Sequence, residues 1–452
     1  MVTLEQLKAG LLVGITRLDL SFGLTEFPRE IFDLADSLEI LNLSGNRLST
    51  LPDDLPRLHK LRIIFCSDNQ FAELPAVLGQ CKSLTMLGFK ANQISRVPDE
   101  SLTPTLRWLI LTDNRIDSLP SSIGQCRQMQ KLMLAGNQLS DLPVELANCS
   151  QLELLRLSAN RFTVFPTWLL TMPRLAWVAI AGNPITESFE TARQAPSIAN
   201  IDWRQIELGV KLGEGASGVI YQARMQQTDE SFKEVAVKLF KSAVTSDGLP
   251  RCEMAASIAV VMHPNIVGVL GQISHHPKGI LGLVMPLIAS DYANLAQPPS
   301  LESCTRDVYA SEAAFGLLQL CSIALGVARA AEHLHACGVL HGDLYAHNML
   351  YNADGQSLLG DFGAASFLPM KDLDTSHALQ RIEVRAFGIL LGELLAHCFE
   401  SDGDAEQAVR SKLVALLQQC TQTKVSARPL LADVVRELSA HQDHIDSVSS
   451  IS

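Results

Sequence analysis

The residues most able to do chemistry lie in the second half of the chain and begin with Gly213-Glu214-Gly215-Ala216-Ser217-Gly218-Val219. This turn separates two runs that read as strands, Ile206 to Leu212 and Val219 to Arg224. Glycine has no Cβ, so backbone N–H groups in such a turn can approach phosphate oxygens closely. Taken alone, G-x-G-x-x-G is a weak signal. Lys238 ends the apolar run Val235-Ala236-Val237-Lys238, and an ammonium inside a strand needs a negative partner. The phosphates of ATP would supply one. Glu253, fifteen residues on in an expected helix, would pair with Lys238 and hold it toward the nucleotide; otherwise it is a surface carboxylate on an amphipathic helix. The apolar strand Ile280 to Met285 ends at Pro286, which lacks an N–H but keeps its carbonyl. Adenine needs one backbone acceptor and one donor, which Pro286 and Ile288 would provide, with Met285 at the back of the pocket.

Farther on stand His341-Gly342-Asp343-Leu344-Tyr345-Ala346-His347-Asn348 and, thirteen residues after Asn348, Asp361-Phe362-Gly363. The ordered set of glycine loop, strand lysine, helix glutamate, H-x-D-x-x-x-x-N and D-F-G resembles the protein-kinase superfamily. The resemblance runs from about Ile201 to Leu438. It implies that Asp343 orients the substrate hydroxyl and accepts its proton, that Lys238 grips the α- and β-phosphates, and that Asn348 and Asp361 hold magnesium. The implied catalytic set is Asp343, Lys238 and Asn348. The implied nucleotide set is Gly213, Glu214, Gly215, Ser217, Gly218, Val219, Lys238, Glu253, Met285, Pro286 and Ile288. ATP and magnesium are the expected cofactors.

The chain departs from the family in several places. Gly342 stands where the family has Arg, which removes the familiar link between a phosphorylated activation loop and the catalytic loop. The stretch from Asp361 to Glu383 is short and lacks A-P-E. Glu383 opens a motif that ordinarily opens with Asp, and Arg428 has no evident glutamate partner. Tyr345 occupies a position where serine/threonine kinases commonly carry Lys. Ser366, Thr375 and Ser376 are candidate phosphosites by location, whereas His333 and His335, in the helix before the loop, read as structural.

The first half of the chain is built differently. From Ile15 the pattern L-x-x-L-x-L-x-x-N-x-L recurs eight times, every 22 or 23 residues. Its asparagines are Asn46, Asn69, Asn92, Asn114, Asn137, Asn160 and Asn183, with Gly23 in the first repeat's slot. Prolines follow at Pro28, Pro52, Pro75, Pro98, Pro120, Pro143 and Pro166. One such repeat cannot bury its own apolar face, so several must stack into a curved solenoid, with the asparagines satisfying backbone groups at the turns. The pattern resembles the leucine-rich-repeat family. Strand alternation puts Ile40, Ile63, Phe65, Met86, Trp108, Ile110, Met133, Leu154 and Trp177 on the concave face, and an apolar stripe there marks a contact surface. Either the chain's own kinase domain, a second protomer or a foreign protein would cover it.

Whole-chain features narrow the reading. A formal charge of −12 without clustered Lys and Arg argues against nucleic-acid binding. Ten cysteines without a CxxC pair argue against a disulfide framework and against zinc. Cys81, Cys126 and Cys149 share one phase of the repeat and read as core filler. No secretory signal or membrane span is evident, and a cytoplasmic location is expected.

The expected architecture is an α/β leucine-rich-repeat solenoid over residues 1–195, an α+β bilobal protein-kinase fold over 196–442, and a short polar tail over 443–452. Taken together, the "LP" repeats and H-G-D-L-Y-A-H-N resemble bacterial and plant leucine-rich-repeat kinases of the tyrosine-kinase-like branch. The resemblance implies a signalling enzyme that phosphorylates protein hydroxyls, serine or threonine before tyrosine. Two alternatives stay open. A nucleotide-binding pseudokinase scaffold is favoured by the short segment after Asp361. A small-molecule phosphotransferase is also compatible with H-G-D and a downstream Asn, but D-F-G, the glycine-loop spacing and the repeats count against it.

Overall fold

Each repeat contributes a strand of only three residues, because the leucines at its centre point into the core while the chain must turn at the next asparagine. In the computed structural model, which describes residues 3–191, 198–241, 244–245, 247–260, 262–399 and 403–449, the chain divides into two compact units, Met1–Leu175 and Ala176–Ser452. In the first unit the strands Arg17–Asp19, Ile40–Asn42, Ile63–Phe65, Met86–Gly88, Trp108–Ile110, Lys131–Met133 and Leu154–Arg156 pair in parallel and in register. Their central residues Leu18, Leu41, Ile64, Leu87, Leu109, Leu132 and Leu155 are fully buried.

The asparagines form a ladder. Asn114, for example, donates from Nδ2 to the carbonyls of Phe89 (2.9 Å) and Leu111 (3.0 Å) and accepts from the Ile94 N–H at Oδ1 (3.0 Å). Each amide thus serves its own turn and the preceding one, so that buried backbone groups stay paired. The residue before the asparagine is left-handed in repeat after repeat: Gly45, Asp68, Ala91, Asp113, Gly136 and Ala159 all have φ between 53° and 72°. The repeat prolines Pro28, Pro75, Pro98, Pro120 and Pro143 each precede a short 3₁₀ helix. Cys126 and Cys149 lie buried and donate to the Thr103 and Ile123 carbonyls (3.4 and 3.2 Å). Burial pushes their thiols up to about 12 and about 11 respectively, as core filler requires. On the concave positions Ile63, Met86 and Leu154 are buried and Ile40, Phe65, Trp108, Ile110 and Met133 half-buried. Trp108 sits under the Lys131 ammonium, which is 4.4 Å from its ring centre.

The second unit carries a six-stranded sheet in the order Ile206–Glu214, Gly218–Gln226, Phe232–Phe240, Gly282–Pro286, Gly271–Ser274, Ala199–Asp202. It is antiparallel apart from the last pair. One helix, Pro250–Ala259, starts with a proline at its first position, where the missing N–H costs nothing. The remainder is mainly helical: Leu317–Ala336, Leu373–Ala396, Asp404–Cys420 and Leu431–Ser449. Val339–Leu340 and Ser366–Phe367 make a small antiparallel ladder on either side of the segment 341–365.

Two expectations differ from the packing. The boundary expected at 195–196 lies outside the described residues. The compact units separate earlier, after Leu175, because the strand Trp177–Ala179 packs on residues of the second unit, as described below. The tail expected from 443 is helical to Ser449, continuing the helix that begins at Leu431. Among the described residues no helix is long and apolar enough to cross a membrane.

Candidate active site

The central strand Phe232–Phe240 positions the site. Its register sets Ala236 opposite Met285 and Lys238 opposite Leu283, so the side chains of both partners face one cleft of about 790 Å³. The cleft wall includes Gly215, Ser217, Gly218, Lys238, Glu253, Met285, Pro286, Ile288, Asn348 and Asp361. The glycine turn, the strand lysine, the helix glutamate, the Met285–Ile288 segment and the two oxygen donors are thereby brought together.

Lys238 and Glu253 form a buried ion pair in contact, with side-chain exposures of 12% and 3%. Burial pushes the Glu253 carboxyl up from its ordinary value, the Lys238 ammonium pulls it down, and the neighbouring Asp361 carboxylate pushes it up. Glu253 is therefore a structural partner of Lys238 rather than a surface carboxylate.

The segment His341 to Asn348 is held from within. His341 donates from Nε2 to the Gly360 carbonyl (2.9 Å) and accepts at Nδ1 from the Asp343 N–H (3.3 Å). Asn348 donates from Nδ2 to both the Asp343 carbonyl and its Oδ2 (2.9 Å each). That leaves the Asn348 carboxamide oxygen for the cleft. Asp361 has φ +50° and accepts at Oδ1 from the Gly363 N–H (3.1 Å). Asn348 and Asp361 thus offer hard oxygen donors of the kind magnesium takes when phosphates complete its shell. Gly213 and Gly215 have no heavy atom within 4 Å of where a Cβ would stand, so the turn leaves room for phosphates. The residues present fit magnesium and a nucleoside triphosphate.

Glu383 organises the loop from beneath. In the middle of the helix Leu373–Ala396, it accepts from the Gly342 N–H at Oε1 (2.6 Å) and from the His341 N–H (3.3 Å) and His335 Nε2 (2.7 Å) at Oε2. Burial opposes its ionisation, but the His335 hydrogen bond and the surrounding positive charge hold it below the usual carboxylate range. With one more methylene than aspartate, Glu383 reaches both loop N–H groups. His335 is structural, as expected. Arg428 is buried and donates to the Gln422 and Arg381 carbonyls (2.8 and 3.1 Å). Burial lowers it to about 9.

Three members of the expected nucleotide set lie off the cleft. Gly213 does not line it. Glu214 faces solvent, paired with Lys211 and with Lys241 (2.7 Å). Val219 lines a different surface with Tyr221 and Leu239. The reason is strand alternation: with Gly218 on the cleft side, Ile220 and Gln222 share that side and Val219 points away. Ile220, Ala236, Leu283, His347 and Leu350 line the cleft without having been anticipated. Counting in twos from Gly218 and Lys238 would have found Ile220 and Ala236. Asp343 is not on the cleft wall itself and joins it through Asn348. Ser366 and Ser376 are buried, so neither is an accessible phosphosite, and the Thr375 hydroxyl donates to Asp372 (2.6 Å).

Comparison with known proteins bears on both units. Residues 206–389 match the protein tyrosine and serine/threonine kinase family, and residues 104–162 and 37–58 match leucine-rich repeats. Fibroblast growth factor receptor 1 of Pleurodeles waltl is 25% identical over 297 residues, covering 53% of this chain and 35% of the receptor. Cyclin-dependent kinase 10 of Rattus norvegicus is 30% identical over 207 residues, covering 41% of this chain and 54% of that kinase. The human protein of that name is similar to the same extent, with 53% of its length covered. The chain spans about a third of the receptor and about half of the cyclin-dependent kinases. Leucine-rich repeats and a protein kinase domain are thus the two parts of this chain.

Proposed function

We propose that the kinase domain is an active, magnesium- and ATP-dependent phosphotransferase acting on protein serine and threonine hydroxyls, in a cytoplasmic signalling protein whose repeats select partners or restrain the enzyme. The observation that carries this reading is the formed Lys238–Glu253 pair on the same cleft wall as Asn348 and Asp361. Positioned charge is most of what phosphoryl transfer asks of a protein. Glu253 holds the Lys238 ammonium toward the α- and β-phosphates. Pro286 and Ile288 offer a carbonyl and an N–H to adenine, and Met285 closes the back of the pocket. Asn348 and Asp361 would hold magnesium, which would supply positive charge against the phosphates. Asp343 orients the substrate hydroxyl; the hydroxyl oxygen bonds to the γ-phosphorus, the bond to the β-phosphate oxygen breaks, ADP leaves, and Asp343 takes the proton.

The serine/threonine assignment rests on the whole-chain resemblance to leucine-rich-repeat kinases; the matched family covers both hydroxyl classes. One observation favours a second reading, a nucleotide-binding scaffold. After Asp361 the chain enters the helix Leu373–Ala396, capped by Asp372, within a dozen residues. Little chain is left to form a peptide platform. Incubation with labelled Mg-ATP and a generic protein substrate, followed by phosphoamino-acid analysis, tests both. Labelled serine or threonine supports the kinase, labelled tyrosine corrects its class, and tight ATP binding without transfer supports the scaffold.

A further inference from the structure

The strand Trp177–Ala179 stands in the sequence phase of the repeats, yet it packs with the second unit. Trp177 is 1% exposed. Its indole lies flat on the Tyr345 ring, with centroids 4.1 Å apart and planes at 7°, and its Nε1 donates to the Leu344 carbonyl (3.2 Å). Both partners lie between Asp343 and Asn348. The Val178 carbonyl fills the space beside Gly342: a Cβ there would stand 2.7 Å from it and 2.6 Å from the Ala364 carbonyl, at φ +75°. Just past the strand, the Ile180 N–H donates to Ser366 Oγ (3.0 Å), and Ser366 pairs through its backbone with Leu340, next to His341. The strand therefore meets the loop at residue 342, at 344–345, and at the ladder that enters it.

We propose that Trp177 is a positioning residue of the catalytic loop, and that its strand fixes the loop from outside the segment following Asp361. The proposal rests on the phosphotransferase reading above. Two features of the chain become intelligible through it. Gly342 is required because no side chain fits under the Val178 carbonyl with that backbone, so a charged residue at 342 has no room. The segment after Asp361 can be short because the loop already has an anchor. Tyr345 is buried as the stacking partner, instead of presenting a cation to the cleft.

The test uses the full chain with Trp177→Ala and Trp177→Phe, measuring kcat and KM for ATP beside amide hydrogen exchange over residues 341–348. Misplacing a catalytic group by about 1 Å costs about 100-fold. Trp177→Ala is expected to lower kcat by about 10- to 100-fold on that basis, with KM for ATP within about twofold. Exchange in the loop should rise by about tenfold as local opening becomes easier. Trp177→Phe keeps a stacked ring and should restore kcat to within about threefold of wild type. Wild-type kcat and exchange in Trp177→Ala, or an equal loss in Trp177→Phe, would overturn the proposal. Should Trp177→Ala not fold, Trp177→Leu, which fills the space without stacking, takes its place with the same expectations. A wild-type protein that transfers no phosphate defeats the enzymatic reading alone; loop exchange in the variants then decides the positioning role separately.

Discussion

At the scale of the residue, stability and chemistry turn on charges placed where water cannot screen them. Removing one partner of a buried ion pair leaves the other uncompensated, at a cost of about 3–5 kcal/mol. Lys238→Met is therefore expected to abolish transfer and to lower stability in urea unfolding by an amount of that order, whereas a surface pair such as Arg29–Asp54 should matter little. Glu393 makes a prediction about pH. Burial, with Asp307 nearby, raises its carboxyl to about 8 from an ordinary 4.5. The folded state thus holds a proton that the unfolded chain releases. Its contribution to stability is fully present below about pH 4.5 and is lost as pH rises through 8. Thermal unfolding of Glu393→Gln should show a shallower decline over that window than wild type, and an identical slope would count against a buried, protonated Glu393. Much at this scale was legible beforehand, since Lys238, Glu253, Asn348 and Asp361 could be chosen by type and spacing. Val219 lies off the cleft, because a motif gives order along the chain but not the face of a strand. Gly342 could be seen as an anomaly, but its cause, a carbonyl more than 160 residues earlier in the chain, is invisible to spacing.

At the scale of the element, short pieces are set by what adjoins them. The left-handed position before each ladder asparagine is occupied by alanine at Ala91 and Ala159, where a Cβ costs about 1–2 kcal/mol. Offsetting that against the entropy glycine loses on folding, Ala91→Gly and Ala159→Gly should each stabilise the solenoid by about 0.5–1 kcal/mol, read as a shift in denaturant midpoint. Asn114→Ala should do the reverse, since it leaves the buried Ile94 N–H without its acceptor, at a cost of about 1–3 kcal/mol, while the Phe89 and Leu111 carbonyls keep the Asn92 and Asn137 amides. The repeat period was plain in the sequence because stacking forces the same residue types to the same phase. The first turns of the helix Leu373–Ala396, before Glu383, were not, because no repeat or motif marks them. Its N-cap Asp372 and the buried face carrying Leu379, Ile382, Glu383 and Phe387 give the local reason for a helix.

At the scale of the whole molecule, eight repeats and a kinase domain were foreseen, but the division between compact units was not. Composition and repeat phase both continue past Leu175, and only packing shows that Trp177 to Ile180 belongs with the catalytic loop. This gives the solenoid's sequence and the enzyme's loop a shared stretch of chain. It follows from the positioning role of Trp177 that a fragment starting at 198 would lack the loop's anchor, and such a fragment should bind nucleotide but transfer phosphate poorly. Phosphoryl transfer by this assembled cleft is checked by incubating the full chain with labelled Mg-ATP beside Asp343→Asn and Asp361→Asn. Label on protein hydroxyls is expected for wild type, with its loss in both variants. Equal labelling of all three, or none in a wild type that still binds ATP, would contradict it.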